Sequence, residues 1–279
     1  MQMSLVKKEE HLVRILEEAG SALIAFSGGV DSSYLLFKAA QVMGKEKVLA
    51  VTAASEIHPL QEKENAARFA RQYGFEHLVI QTNELACPVF SSNPPERCYY
   101  CKQAMLLKLT ALAKEYGLNR VCDGANYDDT GDFRPGMKAA RELNVLSPLM
   151  EVELTKDEIR RLSQKAGLNT WNLPSAACLC SRIPYGEIIT TEKLKMIGDG
   201  ERFLTSLDIN GVRVRFHDKI ARIEVFPESF QQLLRHKEAI VNRFKELGFA
   251  YITVDLEGFR SGSMNDVLND ETKFDTNNA

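Results

Sequence analysis

The stretch AFSGGVDSSYLL gathers Ser27, Gly28, Gly29, Asp31, Ser32 and Ser33 between two apolar runs. Residues this small let main-chain N–H groups face a bulky anion, and the serine hydroxyls add further donors. The flanks suggest a strand ending at Phe26 and a helix beginning near Asp31. The turn would then lie at a helix N-terminus, where unpaired N–H groups and the helix dipole favour negative charge. The same residues also suit a plain strand-to-helix turn with Asp31 as its cap and the serines solvated. The stretch has no lysine at the place that serves a γ-phosphate in the Gly-Lys-Ser/Thr loop, and no spaced three-glycine dinucleotide fingerprint. It is a cup for phosphate without kinase or GTPase machinery.

Sulfur is the second chemistry-bearing feature. Of the six cysteines, Cys98 and Cys101 share RCYYCK, and Cys178 and Cys180 share AACLCSR. The C-x-x-C spacing lets two thiolates meet one metal ion or one iron–sulfur cluster. Four sulfurs could equally complete a structural zinc site, for which C-x-C is an awkward bite. A redox dithiol would require Cys98 to open a helix, whereas SSNPPERCYYC reads as a polar, proline-bearing surface loop. Cys178 also suits a nucleophile that displaces AMP from an adenylated carboxylate. Arg182 nearby, and Lys102 if the loops converge, would favour its thiolate. The roles of ligand and nucleophile can coexist. Cys87 and Cys122, in LACPVF and RVCDG, read as small core residues.

Arg213 and Arg215 fall on one strand face at period two, spaced either to clamp a phosphate or to form a solvated basic face. Arg260, in GFRSG, could join them. DGANYDDTGDFRPG, residues 123–136, reads as a hydrated turn or as a second wall of a nucleotide site.

These residues must be positioned by a framework that the pattern also suggests. Short apolar strands at 22–26, 48–53, 77–81, 120–123 and 145–146 alternate with helical patterns at 32–43, 61–73, 102–116 and 135–143. Such alternation predicts an α/β fold, a parallel sheet with helices on both faces, and a ligand beyond the carboxyl ends of the strands. GVRVRFHDKIARIEV then reads as two antiparallel strands turning near Asp218 and Lys219. A helix precedes it at 191–207, and helical residues 227–247 and the strand AYITVDL follow. The chain thus divides into residues 1–187 and a small C-terminal α+β domain, 188–279, with a polar tail expected to fray. Apolar residues are 44% and charged residues 26% of the 279, an ordinary globular mix. A net charge of −3 gives no general reason to expect nucleic acid. No apolar run approaches the ~18 residues of a membrane span, and the charged amphipathic N-terminus lacks the apolar core of a signal peptide. The expected location is the cytoplasm, where disulfides are rare.

SGGVDSS resembles the PP-loop of the ATP pyrophosphatases, of adenine nucleotide α-hydrolase-like fold, which split ATP into AMP and pyrophosphate. With NPPERCYYCK, DGANYDDTGDFRPG, ACLCSRIPYG, VRVRFHD and DLEGFRSGSMN, residues 20–268 resemble the LarE family of ATP-dependent sulfur transferases. The resemblance implies ATP and pyrophosphate on Ser27, Gly28, Gly29, Asp31, Ser32 and Ser33, with Mg²⁺ beside Asp31. It implies a pyridinium-3,5-dicarboxylate mononucleotide as substrate, adenylated and then thiolated for the nickel-pincer cofactor of lactate racemase. Cys178 falls at the sulfur-donor segment, and Arg213, Arg215 and Arg260 at the substrate phosphate. The self-consuming members carry one active-site cysteine. This chain's set resembles the multi-cysteine branch, in which three of Cys98, Cys101, Cys178 and Cys180 would hold a 4Fe–4S cluster. The small domain would serve substrate binding and oligomerisation in a homo-oligomer, with cofactor-maturation proteins as partners. Rival readings are tRNA thiolation, an ATP-dependent amidating ligase, and a nucleotide- or metal-sensing module without catalysis.

Overall fold

The computed structural model describes residues 3–131, 135–174, 177–260 and 262–267. Residues 132–134 of the DGANYDDTGDFRPG motif, Ser261 of DLEGFRSGSMN and the tail 268–279 lie outside the described residues. The elements run α1 (Leu5–Ala19), β1 (Ala22–Ala25), α2 (Val30–Met43), β2 (Val48–Ala54), α3 (Leu60–Tyr73) and β3 (His77–Gln81). Next come α4 (Pro88–Ser91), α5 (Arg97–Glu115), β4 (Arg120–Cys122), α6 (Gly136–Glu142), α7 (Pro148–Glu151) and α8 (Lys156–Lys165). The chain ends with α9 (Thr191–Ser206), β5 (Arg213–His217), β6 (Ile220–Glu224), α10 (Phe230–Arg235), α11 (Lys237–Glu246) and β7 (Tyr251–Val254). Two compact units result. Among the described residues the first joins 3–83 to 96–174, and the second joins Glu84–Pro95 to 177–267, beside an expected division at 187/188.

In the first unit a parallel sheet has the order β3-β2-β1-β4. Its residues alternate between two cores. Ala22, Ile24, Val48 and Ala50 pack with Leu12, Leu16, Leu36 and Ile159, whereas Leu23, Leu49 and Val51 pack with Leu106, Leu109 and Ala140. Burial on both faces is why these strands read as unbroken apolar runs. β1 has β2 on one side and β4 on the other, so the winding reverses there. The loops leaving the carboxyl ends of β1 and β4 therefore flank one crevice, the usual ligand position in such a sheet. The expected α/β class is the observed one, with a small second sheet in the C-terminal part.

That second sheet has the order β5-β6-β7. β5 and β6 form the expected antiparallel hairpin, turning through Asp218 at φ 52°, and β7 adds in parallel. No helix among the described residues is long and apolar enough to cross a membrane.

Several local expectations need correction. The strand foreseen at 145–146 is a single bridge between Cys122 and Leu146, because Pro148 opens α7 at once. The helix foreseen at 227–247 is a 3-10 turn at Pro227–Ser229 followed by α10 and α11, which part at His236. α5 starts at Arg97, so the Pro94-Pro95 pair ends the polar loop earlier than expected. Helix α8 was not foreseen, although its capping box was legible: Thr155 Oγ1 accepts from Glu158 N, and Glu158 answers at Thr155 N.

α1 is tied to α8 by a buried cation. Lys8 is 1% exposed, and its Nζ donates to Glu153 O at 2.6 Å and to the Glu158 carboxylate at 2.8 and 3.1 Å. Burial pushes the Glu158 carboxyl up, but the hydrogen bonds from Lys8 and Thr155 outweigh it and hold the group below its ordinary 4.5. Lys8→Met strands this carboxylate and should cost about 1.5–3 kcal/mol in urea unfolding. A depressed folded-state pKa means that the Glu158 contribution is present above pH 4.5 and lost as pH falls through the depressed value. The stability gap between the native chain and Glu158→Gln should therefore close on acidification; a gap independent of pH would refute the ion pair's role.

Candidate active site

The turn from β1 into α2 is built around missing side chains. Phe26 N–H donates to Val51 O at 2.8 Å, holding the chain to the sheet up to that residue. Gly28 follows with φ 74°, and a Cβ there would lie 2.6 Å from the Ala66 nitrogen on α3. Gly29 is the N-cap of α2, so Asp31 stands in the first turn and does not cap it. Ser27 Oγ accepts from Gly29 N at 3.3 Å and lies 3.1 Å from Ser32 Oγ, which accepts from Ser27 N at 3.3 Å. Two hydroxyls thus ring a loop of main-chain donors at the start of a helix.

The segment after β4 is the loop's second wall, not a hydrated turn. A Cβ on Gly124 would sit 3.0 Å from Ser32 N, so this backbone packs directly on α2. Asn126 Nδ2 donates to Asp31 Oδ2 at 3.4 Å, and Lys156 Nζ donates to the same oxygen at 2.5 Å. Lys156 reaches Asp31 because α8 is fixed by Asp128, whose carboxylate accepts from Lys156 N at 2.8 Å. Beside them Asp123, 3% exposed, accepts from Lys102 Nζ at 2.5 Å, Ser147 Oγ at 2.7 Å and Ala125 N at 3.3 Å. Lys102 is therefore matched by a carboxylate in its own unit. A cavity of about 100 Å³ adjoins Asp123, lined also by Met137, Arg141, Met150 and Glu151.

Two polar atoms in this cup remain unsatisfied. Asp31 Oδ1 and Ser33 Oγ are buried without a hydrogen-bond partner among the described residues. A buried acceptor left without a partner is costly, so the site favours a ligand that supplies one. The set fits a nucleotide phosphate with Mg²⁺: an anionic oxygen for a hard cation, hydroxyls, and N–H groups for phosphate. Burial pushes the Asp31 carboxyl above its ordinary 3.8; Lys156 pulls it down, Asp129 pushes it up, and Asn126 pulls it down again, leaving it raised.

The cysteines are divided between the units. Cys98 and Cys101 lie at the start of α5, the first exposed and the second half-buried. The expectation that Cys98 does not open a helix is thus corrected. Cys178 is the N-cap of a 3-10 turn, Leu179–Arg182, and is half-buried, whereas Cys180 within that turn is fully buried. The Cys178 carbonyl accepts from Ser181 N at 3.1 Å, Ser181 Oγ at 2.9 Å and Arg182 Nη1 at 2.9 Å. Arg182, 1% exposed, also makes two hydrogen bonds to the Glu201 carboxylate at 2.9 and 3.1 Å. Arg182 thus fixes the backbone at Cys178 while its charge meets Glu201. Among the described residues no three His, Cys, Asp or Glu side chains come together as a metal site. Cys122 is core, its thiol pushed up to about 12 by burial, but Cys87 is exposed and does not pack inside as expected.

Arg213 and Arg215 share β5. Arg215 is buried and doubly bonded to Glu224 at 2.9 and 2.7 Å, with further bonds to Ser181 O and Ser263 Oγ, each at 2.9 Å. Arg213 has its guanidinium 5.1 Å from the Phe259 ring, and burial, then the nearby Arg182 charge, lowers its pKa to about 10. Arg260 pairs with Glu257 and Asp266 at 2.6 and 2.8 Å.

Comparison with known proteins decides the family. The NAD synthase family matches residues 5–98. An uncharacterized protein of Synechocystis is 44% identical over 266 residues, covering 95% of this chain and 99% of that one. An uncharacterized Methanocaldococcus jannaschii protein is 30% identical over 239 residues, covering 86% and 90%. The pyridinium-3,5-bisthiocarboxylic acid mononucleotide synthase of Lactiplantibacillus plantarum is 36% identical over 265 residues, covering 95% and 96%. The chain belongs to the LarE family. As a LarE-family protein it is an enzyme of the ATP-dependent PP-loop class, and the NAD synthase match over residues 5–98 includes the loop that holds Asp31.

In this LarE-family site Lys156 lowers the Asp31 pKa and Asp129 raises it, and the carboxylate form is the one that meets a cation. Lys156→Ala should therefore move the acid limb of ATP-driven pyrophosphate release to higher pH, and Asp129→Asn should move it lower. A limb that stays in place in both variants would exclude Asp31 as the titrating group.

Proposed function

We propose that the chain uses ATP to adenylate a carboxylate of pyridinium-3,5-dicarboxylate mononucleotide and then replaces AMP by sulfur, giving a thiocarboxylate for nickel-pincer cofactor synthesis. The observation that carries this reading is the likeness to the Lactiplantibacillus synthase along nearly the whole of both chains. The buried, unsatisfied Asp31 Oδ1 and Ser33 Oγ support its first half: a carboxylate oxygen suits a cation carried by the nucleotide, and a hydroxyl suits a phosphate oxygen.

In the proposed reaction the Ser27, Ser32 and Ser33 hydroxyls and the N–H groups that open α2 hold the pyrophosphate end. Asp31 would hold Mg²⁺, which when bound offsets the charge of the leaving pyrophosphate. Arg213, Arg215 and Arg260 are the candidates for the substrate phosphate, the first two on β5. The Arg213 guanidinium feels the Arg182 and Arg215 cations and the Glu201 and Glu224 carboxylates, and a phosphate would join this set of charges.

The Cys178 thiolate attacks the acyl carbon. A C–S bond forms, the acyl C–O bond breaks, and AMP leaves with the electron pair. Loss of the Cys178 Cα proton then breaks the Cβ–S bond, leaving a thiocarboxylate on the substrate and dehydroalanine in the chain. The alternative source is sulfide on a 4Fe–4S cluster held by three of Cys98, Cys101, Cys178 and Cys180. No ligand group of that kind is assembled among the described residues. The second unit would also carry the contacts of a homo-oligomer acting in the cytoplasm beside cofactor-maturation proteins.

Ammonia-dependent amidation of the adenylate is a second reading, favoured by the NAD synthase match over residues 5–98. It has no use for Cys178. Cys178→Ala should keep pyrophosphate release and lose both AMP displacement and thiocarboxylate formation; an undiminished thiocarboxylate yield would remove Cys178 from the sulfur chemistry, and an amide product with ammonia would establish the second reading.

Asp31→Ala should abolish pyrophosphate release with the fold intact, as judged by circular dichroism. Arg213→Ala should weaken the mononucleotide by about 1.5–3 kcal/mol and leave ATP affinity unchanged. After one turnover the self-consuming route leaves the polypeptide lighter by the mass of H₂S. The cluster route leaves its mass unchanged and requires iron and sulfide in anaerobically purified protein.

A further inference from the structure

The phosphate loop hangs from the last carbonyl of the β1 side, and that carbonyl is gripped by a side chain. Thr52 on β2, 5% exposed, donates its hydroxyl hydrogen to Phe26 O at 2.7 Å. The same Oγ1 lies 2.7 Å from His77 Nε2, at the start of β3. A hydroxyl has one hydrogen, and a carbonyl can only accept. With that hydrogen given to Phe26 O, the second contact must run from His77 Nε2–H to Thr52 Oγ1, which fixes the histidine tautomer. Burial lowers the His77 pKa and so favours its neutral form.

The ring of His77 also meets the Phe26 ring edge to face, with centroids 5.7 Å apart, and Phe69 covers Phe26 from α3 at the same separation. Phe26 is therefore held through both its carbonyl and its ring. Ser27 and Gly28 come directly after it. Gly28 has no slack against Ala66, so a tilt of the Phe26 peptide must shift the Ser27 hydroxyl and the first N–H groups of α2.

We propose that His77 and Thr52 form a strut, running from β3 through β2 to the Phe26 carbonyl, that sets the phosphate loop in its ATP-binding geometry. Both are positioning residues: they act on the nucleotide through the loop. The inference rests on ATP binding at this loop and not on sulfur transfer, so it stands or falls separately from the identity of the acceptor.

The test is calorimetric titration of the full-length chain with MgATP, pyrophosphate and adenosine, beside urea unfolding without ligand. Thr52→Val keeps the shape but removes the hydroxyl, leaving two buried groups unpaired. It should weaken MgATP and pyrophosphate about tenfold, the equivalent of one lost buried hydrogen bond, and leave adenosine unchanged. Thr52→Ser should restore both affinities. His77→Phe should weaken phosphate binding in the same direction, and the double variant should be no worse than Thr52→Val, because both changes break one chain of bonds. Unaltered MgATP affinity in Thr52→Val would overturn the strut. So would equal losses for adenosine and pyrophosphate, no recovery in Thr52→Ser, or additive losses in the double variant. A Thr52→Val chain too unstable to titrate passes the decision to His77→Phe, read by the same ratio of pyrophosphate to adenosine.

Discussion

Close approach of backbone to backbone at Gly28 is what the rest of the first unit accommodates. The loop presses on α3 at Ala66 from one side, and the start of α2 is pressed in turn by Gly124 from the segment after β4. Neither approach tolerates a side chain. Main-chain N–H groups held this tightly cannot turn away, and two of them, Ser27 N and Gly29 N, donate to the hydroxyls of Ser32 and Ser27. The sheet order gives the geometry its place: only where β2 and β4 flank β1 do the two loops leave the sheet side by side.

The second unit solves a different problem, that of keeping arginines buried. Arg182 with Glu201, and Arg215 with Glu224, are forked pairs in which each guanidinium meets both oxygens of one carboxylate. Removing two charges from water is expensive, and such a pair is a poor source of net stability. What the arrangement gives is position. Arg182 reaches the carbonyls of Ala177 and Cys178, and Arg215 reaches that of Ser181, so the cysteine turn is bolted to charged groups that cannot relax.

Much of this was legible because it is local. Strands buried on both faces read as runs such as ALIA and VLAV, and the β5–β6 hairpin announced itself by alternation around Asp218. The glycine and serine spacing of the phosphate loop marked it before any fold was known. What escaped was long-range or marginal. Lys156 meets Asp31 across 125 residues, and no periodicity relates them. Asp123 and Lys102 pair between a strand end and a helix for the same reason. The Cys98 segment was misread because a proline pair marks where a helix cannot be, and says little about how soon after it one begins. Cys87 was misread because apolar neighbours in sequence need not be neighbours in space.

The course of the chain has a further consequence. Residues Glu84–Pro95 belong with the second unit although they lie within the span of the first. Asn93, fully buried, donates to the carbonyls of Ile183 and Pro184 and accepts from Gly186 N, and Ile189 N donates to Ser91 O. A ribosome therefore releases one clasp of the C-terminal unit about ninety residues before its counterpart, between Ser91 and Ile183. The half-made clasp must wait, its Phe90 and Asn93 uncovered, while α5 to α8 are still being made. In genes the same interleaving means that no single crossover can exchange either unit whole. Shuffled descendants of such a chain would inherit both units together or neither intact.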